Sequence, residues 1–176
     1  MTIYFIVSPM GAGKTLTMTM YGYHEHLLGK TVYSNYPVNF PHIPIRSPIE
    51  MADIQEGVFL GDELWSWLDS RESGSTQNKA ISRILLKSRK KGYDIYHTAQ
   101  FHMQPDRRLR NHTDIVIIPE FNKRSQTCIV RRYRYVGKMN VGDLMSEFKF
   151  DARPYYALYD TRGGIYSDDE DDLILQ

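Results

Sequence analysis

Ile3-Tyr4-Phe5-Ile6-Val7-Ser8-Pro9-Met10-Gly11-Ala12-Gly13-Lys14-Thr15 is an apolar run that breaks into a glycine-containing loop and ends on lysine and threonine. Leu16-Thr17-Met18-Thr19-Met20 follows with helical character. The order is strand, phosphate loop, helix. Amides of Gly11 to Thr15 can point into one concavity, the helix start adds partial positive charge, and Lys14 can reach the outer phosphates of a nucleotide. Thr15 then offers its hydroxyl to magnesium, and Pro9, Met10, Gly11, Ala12, Gly13, Lys14, Thr15 and Leu16 are the expected nucleotide-binding residues. In the pattern G-x-x-x-x-G-K-[ST], Gly13, Lys14 and Thr15 match, whereas Ser8 replaces the first glycine. Gly11 and Gly13 permit positive φ and close backbone approach, which a phosphate cradle needs most. A glycine-rich turn with a surface lysine is the plainer alternative, and the strand-loop-helix context argues against it.

A second piece of chemistry lies downstream, where Val58-Phe59-Leu60 runs through Gly61 into Asp62-Glu63. An apolar strand ending in two acids places one carboxylate beside the phosphate loop to hold hydrated magnesium and the next to polarise an attacking water. Asp62 fits the first role and Glu63 the second. Without the upstream loop, the same pair would equally suit a solvated turn.

Between and beyond these motifs, short apolar runs alternate with helical patterns, which predicts an α/β sheet of mostly parallel strands. The first helix is expected from Lys14 to about Leu28, stopping at Gly29. Residues 31–36 read as the second strand, and Pro37, Pro41, Pro44 and Pro48 mark an irregular connection. Later strands are expected over 93–100, over 114–118 and, as an edge or antiparallel strand, over 127–136. Residues 155–159 are a further strand candidate.

A helix is expected over 76–91, burying Ile81, Ile84, Leu85 and Ser88 and gathering Lys79, Arg83, Lys87 and Lys90 on the opposite side. That basic face can be solvated, contact a phosphate backbone or meet another subunit. Arg89 projects to the flank between the two faces, which suits an arginine finger. Gln100 is expected at the carboxyl edge of the sheet, where open α/β folds bind ligands, with an amide able to accept from and donate to a water. Arg107, Arg108 and Arg110 concentrate charge that can bind DNA phosphate, serve a neighbouring active site or form internal salt bridges. The chain as a whole is nearly neutral, with 22 basic and 21 acidic residues. Between Arg71 and Arg110, however, ten Lys or Arg face three acids, so the neutral total hides a basic middle.

The 176 residues fit one domain with a real core. Cys128 stands alone, which excludes a disulfide framework. No apolar stretch approaches the roughly 20 residues of a membrane helix, and the N-terminus lacks a signal-peptide pattern. The reading is a soluble protein of a reducing, intracellular compartment. The histidines show no metal-ligand spacing, and the tyrosines can stack on bases or cover a sheet face.

G-A-G-K-T, S-N-Y-P, F-L-G-D-E-L-W-S-W-L-D-S-R, S-R-K-K-G-Y-D-I-Y-H-T-A-Q and D-R-R-L-R-N-H-T-D, in that order, resemble the small ATPases of the FtsK and HerA superfamily. Within it the sequence is most similar to genome-packaging ATPases of archaeal and other internal-membrane viruses and to Zot-like assembly ATPases of filamentous phages. The resemblance spans residues 1–121, and Tyr159-Asp160-Thr161 shares its flavour. It implies a three-layer ASCE, RecA-like P-loop NTPase with extra antiparallel strands toward the C-terminus, using ATP and Mg2+ and working as a homo-oligomeric ring, commonly hexameric. Double-stranded DNA is the implied cargo and a capsid or membrane portal protein a further partner, in the host cytoplasm or with the virion. On that pattern Lys14 and Thr15 hold phosphates and magnesium, Asp62 completes the metal site, Glu63 activates water, Gln100 is the polar sensor and Arg89 the finger given to the adjacent subunit. Arg71, Arg107, Arg108 and Arg110 are alternative fingers. The ATPase domain is expected over 1–162, with an acidic solvated tail over 163–176. Ser8 and Gly61 depart from the pattern. A phage assembly or secretion ATPase, a small-molecule kinase and a regulatory nucleotide-binding module are the competing classes; Glu63 argues against the last.

Overall fold

The computed structural model describes residues 1–67, 91–100, 111–137, 140–160 and 164–166. The opening run Ile3–Val7 is strand β1, its residues alternating between apolar clusters on opposite sides of the sheet. The chain leaves it through the glycine loop into helix α1 (Lys14–Leu27), one residue shorter than expected. Gly29 ends the helix in the left-handed region (φ 84°), its N–H bonded to the His26 carbonyl.

Seven further strands complete a sheet: β2 (Val32–Ser34), β3 (Ile43–Pro44), β4 (Val58–Gly61), β5 (Asp94–Ala99), β6 (Ile115–Asn122), β7 (Thr127–Gly137) and β8 (Asn140–Asp151). Their order is β3-β2-β4-β5-β1-β6-β7-β8. The pairs from β3 to β6 are parallel, and β6-β7 and β7-β8 are antiparallel. Thus β1 sits centrally, with β5 on one side and β6 on the other. Val7 pairs with Ala99 and Gly61 with His97, so the carboxyl ends of β1, β4 and β5 come level.

Period-two alternation sends Ile6, Leu60, Tyr96 and Ile117 toward α1, where Met18 packs among them. Ile3, Phe59 and Ile95 point the other way, against Ile45, Met51, Ile54 and Leu64 from the connections around β4. The tyrosines follow the sheet-covering alternative: Tyr4 and Tyr96 stack with centroids 4.2 Å apart, and Tyr21 of α1 lies 5.2 Å from Tyr96. Among the described residues, no helix is long and apolar enough to cross a membrane.

Three expectations need correction. Strand 127–136 is antiparallel but not the edge, because β8 pairs outside it. The 155–159 segment lies almost wholly in a 3-10 turn, Arg153–Leu158, with Pro154 at its start; only Tyr159 makes an isolated bridge, to Val38. Proline fixes φ and removes a ladder donor, which favours a turn. Strand β6 continues beyond Ile118 to Asn122, because Pro119 falls past the last pairing with β1, which ends at Ile117. The helix expected over 76–91 lies outside the described residues except at its last position.

Candidate nucleotide site

The phosphate loop owes its shape to two left-handed glycines, Gly11 at φ 76° and Gly13 at φ 91°. Gly13 is the residue before α1, and a Cβ there would stand 3.2 Å from the Cβ of Phe121. Backbone conformation and close approach both demand glycine at that point. Pro9 and Ala12 close the turn beneath, the Ala12 N–H donating to the Pro9 carbonyl at 3.3 Å. The first turn of α1 holds no acid and no side-chain cap, so its N–H groups and positive dipole end remain available to an anion. Ser8 is 1% exposed, and positive φ among described non-glycine residues is confined to Glu63 and Gln126. Position 8 therefore uses backbone open to any L-residue, which is why the motif's first glycine is dispensable here.

Lys14 lies over this loop, its Nζ donating to the Ser8 and Pro9 carbonyls at 3.2 Å each. Burial lowers its ammonium pKa, opposed by attraction to Asp62 and Glu63. Across the cleft, the Thr15 hydroxyl donates to Asp62 Oδ2 at 3.0 Å, and the Thr98 hydroxyl donates to Asp62 Oδ1 at 2.5 Å. Burial pushes the Asp62 carboxyl up, while these two hydrogen bonds pull it down. A desolvated carboxylate side by side with a hydroxyl is a pair of hard oxygens in want of positive charge. That donor set fits magnesium, which takes few protein ligands and keeps phosphate oxygens and waters for the rest.

Glu63 follows in a left-handed conformation, φ 45°. Its N–H donates to Thr98 Oγ1 at 2.9 Å, and its Oε1 accepts from Gln100 Nε2 at 3.4 Å. The short strand β4 is held close: a Cβ on Gly61 would meet a Phe59 ring carbon at 3.0 Å and Leu64 Cβ at 3.4 Å, which accounts for glycine where a bulky residue was expected.

Met10, Gly11, Gly13, Lys14, Thr15, Leu16, Asp62, Glu63 and Gln100 all border one cleft of about 660 Å³. Arg89 and its alternatives Arg71, Arg107, Arg108 and Arg110 lie outside the described residues. The far wall was not anticipated: Phe121, Lys123 and Gln126 from the β6-β7 turn, then Tyr156, Tyr159 and Asp160. Gln126 braces that wall, accepting from the Tyr156 hydroxyl and donating to the Lys123 carbonyl. Thr98 and Asn35 were also missed as site residues. Thr98 had one legible signal, its place two residues before Gln100 on the same side of a strand.

No model of a known protein family matches the chain, and no curated protein matches its sequence. Solved structures do match. The N-terminal domain of zonular occludens toxin from Neisseria meningitidis aligns with TM-score 0.57 at 18% identity, over 90% of this chain and 98% of that one. The ATPase domain of a helicase aligns with TM-score 0.55 at 11% identity, over 92% and 85% respectively. Flagellar accessory protein FlaH from Methanocaldococcus jannaschii gives TM-score 0.52 at 11% identity, over 85% and 84%. At such identities the likeness is one of architecture, and the chain has the RecA-like P-loop NTPase fold with its glycine loop at the carboxyl end of the central strand.

Proposed function

We propose that the chain is a magnesium-dependent ATPase acting in a homo-oligomeric ring, with double-stranded DNA entering a viral procapsid as its cargo. The observation that carries hydrolysis is the convergence of Lys14, Thr15, Asp62, Glu63 and Gln100 on one cleft. In this reading the loop amides and Lys14 bind the outer phosphates, and Thr15 and Asp62 would hold magnesium, which when bound neutralises charge developing on the phosphates. Glu63 takes the proton of the attacking water, and Gln100, bonded to Glu63, orients it. Arg89 is our choice of finger from the neighbouring subunit, ahead of Arg71, Arg107, Arg108 and Arg110. The DNA cargo rests on the family resemblance and on the basic stretch from Arg71 to Arg110.

Glu63→Gln tests the chemistry: nucleotide binding should persist while kcat falls by about 10²–10⁴. Retained turnover would remove Glu63 from the reaction. A trans finger makes specific activity rise with protein concentration, by a factor that can reach about 10³–10⁵. Full turnover by a proven monomer would end the ring reading.

A phage assembly or secretion ATPase is the second reading, favoured by the fold likeness that spans 98% of the zonular occludens toxin domain. The ATPase rate with and without double-stranded DNA separates the two. Stimulation that weakens as salt rises supports DNA as cargo, because phosphate contacts release counterions; indifference to DNA supports the assembly reading.

A further inference from the structure

Ser34-Asn35-Tyr36-Pro37 stands out in the sequence yet has no part in the chemistry above. In the structure it follows β2, and Asn35 is 0% exposed. Its side chain spans the backbone of Asp62: the Asp62 N–H donates to Asn35 Oδ1 at 2.7 Å, and Asn35 Nδ2 donates to the Asp62 carbonyl at 2.9 Å. The Asn35 N–H meanwhile donates to the Leu60 carbonyl at 3.1 Å. The amide thus prolongs the β2-β4 ladder, whose last backbone pair is Ser34 with Leu60, out to the carboxylate-bearing residue. A primary amide suits this task because it presents one donor and one acceptor in a plane.

The same short segment reaches two other parts of the cleft. Tyr36, which borders it, shares a hydrogen bond of 2.9 Å with Thr19 of α1. The Asn35 carbonyl accepts from the Tyr166 N–H at 2.7 Å, and neighbouring Gly164 and Ile165 line the cleft.

We propose that Asn35 is a positioning residue, whose side-chain clamp on the Asp62 backbone sets that carboxylate at the distance from the Thr15 hydroxyl that a magnesium ion requires. The proposal rests on the nucleotide-site reading above and deepens it. Asn35 touches neither nucleotide nor metal; it acts through Asp62. Asn35→Asp keeps the shape and the acceptor but turns the donor into a second acceptor facing the Asp62 carbonyl. Asn35→Ala removes both bonds.

The test is binding of mant-ATP to the full chain, titrated with Mg2+ or held in EDTA. In both variants the Mg2+ concentration for half of the metal-dependent signal should rise about tenfold or more, while affinity in EDTA stays within about twofold of the parent. An unshifted Mg2+ midpoint, or a loss in EDTA equal to that in Mg2+, overturns the proposal, the latter because it marks a merely structural residue. Should neither variant fold, the side-chain amide resonances of Asn35 in the unaltered protein serve instead. They should move when Mg2+ joins the mant-ATP complex and stay put for that complex in EDTA; no movement on adding Mg2+ overturns the clamp. A parent chain whose mant-ATP binding ignores Mg2+ overturns the site reading and the proposal together. Metal-dependent binding without turnover removes hydrolysis alone.

Discussion

Thr98 is a small residue with three tasks inside one hydrogen-bond radius. Its hydroxyl accepts from the Glu63 N–H, donates to Asp62 Oδ1 and so holds the two acids apart in their separate directions. Thr98→Val preserves shape and removes all of this, leaving a backbone N–H without its acceptor at a cost of about 1–3 kcal/mol. Urea unfolding should show that loss, and mant-ATP binding should demand more Mg2+; Thr98→Ser should restore both. Unchanged stability and unchanged metal demand in Thr98→Val would rule out the bridge. Lys14, Thr15, Asp62 and Glu63 were legible in the sequence because each motif is contiguous and its chemistry resides in the side chains themselves. Asn35 and Thr98 were not, because they act on backbone atoms 27 and 35 positions away, and only the strand register brings those atoms within reach.

At the scale of elements, α1 lies close on β4. A Cβ at Gly22 would stand 2.3 Å from Leu60 Cδ1 and 3.2 Å from its Cγ, and Leu60 is itself fully buried. Gly22→Val should therefore destabilise by about 1–3 kcal/mol through overpacking, although valine is the better helix former. Gly22→Ala combined with Leu60→Ala should cost less than the sum of the two single changes, since each relieves the crowding or cavity left by the other. Strict additivity in thermal or urea unfolding would contradict that contact. Strand β1, the loop and α1 were readable because an apolar run, paired glycines and a glycine stop occur in order. Strand β8 was not, because its exposure is high on both faces and Asn140–Asp151 carries no clean period-two pattern. Residues 155–159 misled for the opposite reason: strand-favouring tyrosines follow a proline that commits the chain to a turn.

For the molecule as a whole, His97 sets a pH dependence. It stacks on Phe5 at 4.8 Å inside the sheet's buried face, and neither ring nitrogen has a hydrogen-bond partner among the described residues. Burial pushes its pKa down to about 3. Between that value and the unfolded value near 6.5 only the unfolded chain takes up the proton, so stability falls as pH falls through this window, by up to about 1.4 kcal/mol per unit. Asp62 acts with the opposite sign, because its raised carboxyl pKa makes the folded chain the better proton binder just above the ordinary carboxylate range. His97→Phe isolates the first effect: the drop in unfolding free energy from about pH 7 to about pH 4.5 should shrink relative to the parent. Equal drops would show that the imidazole is already protonated in the folded chain.

The central place of β1 also has a temporal side. Its neighbours are far off along the chain: Thr2 bonds to Asp94 across 92 positions, and Ile3 to Asp114 across 111. A ribosome adding roughly 5–20 residues per second delivers β1 several seconds before either flanking strand exists. During that interval an apolar strand and its attached loop have no sheet to join, and closing such long intervals makes assembly slow. The nucleotide loop is thus among the first segments synthesised and among the last to acquire its shape.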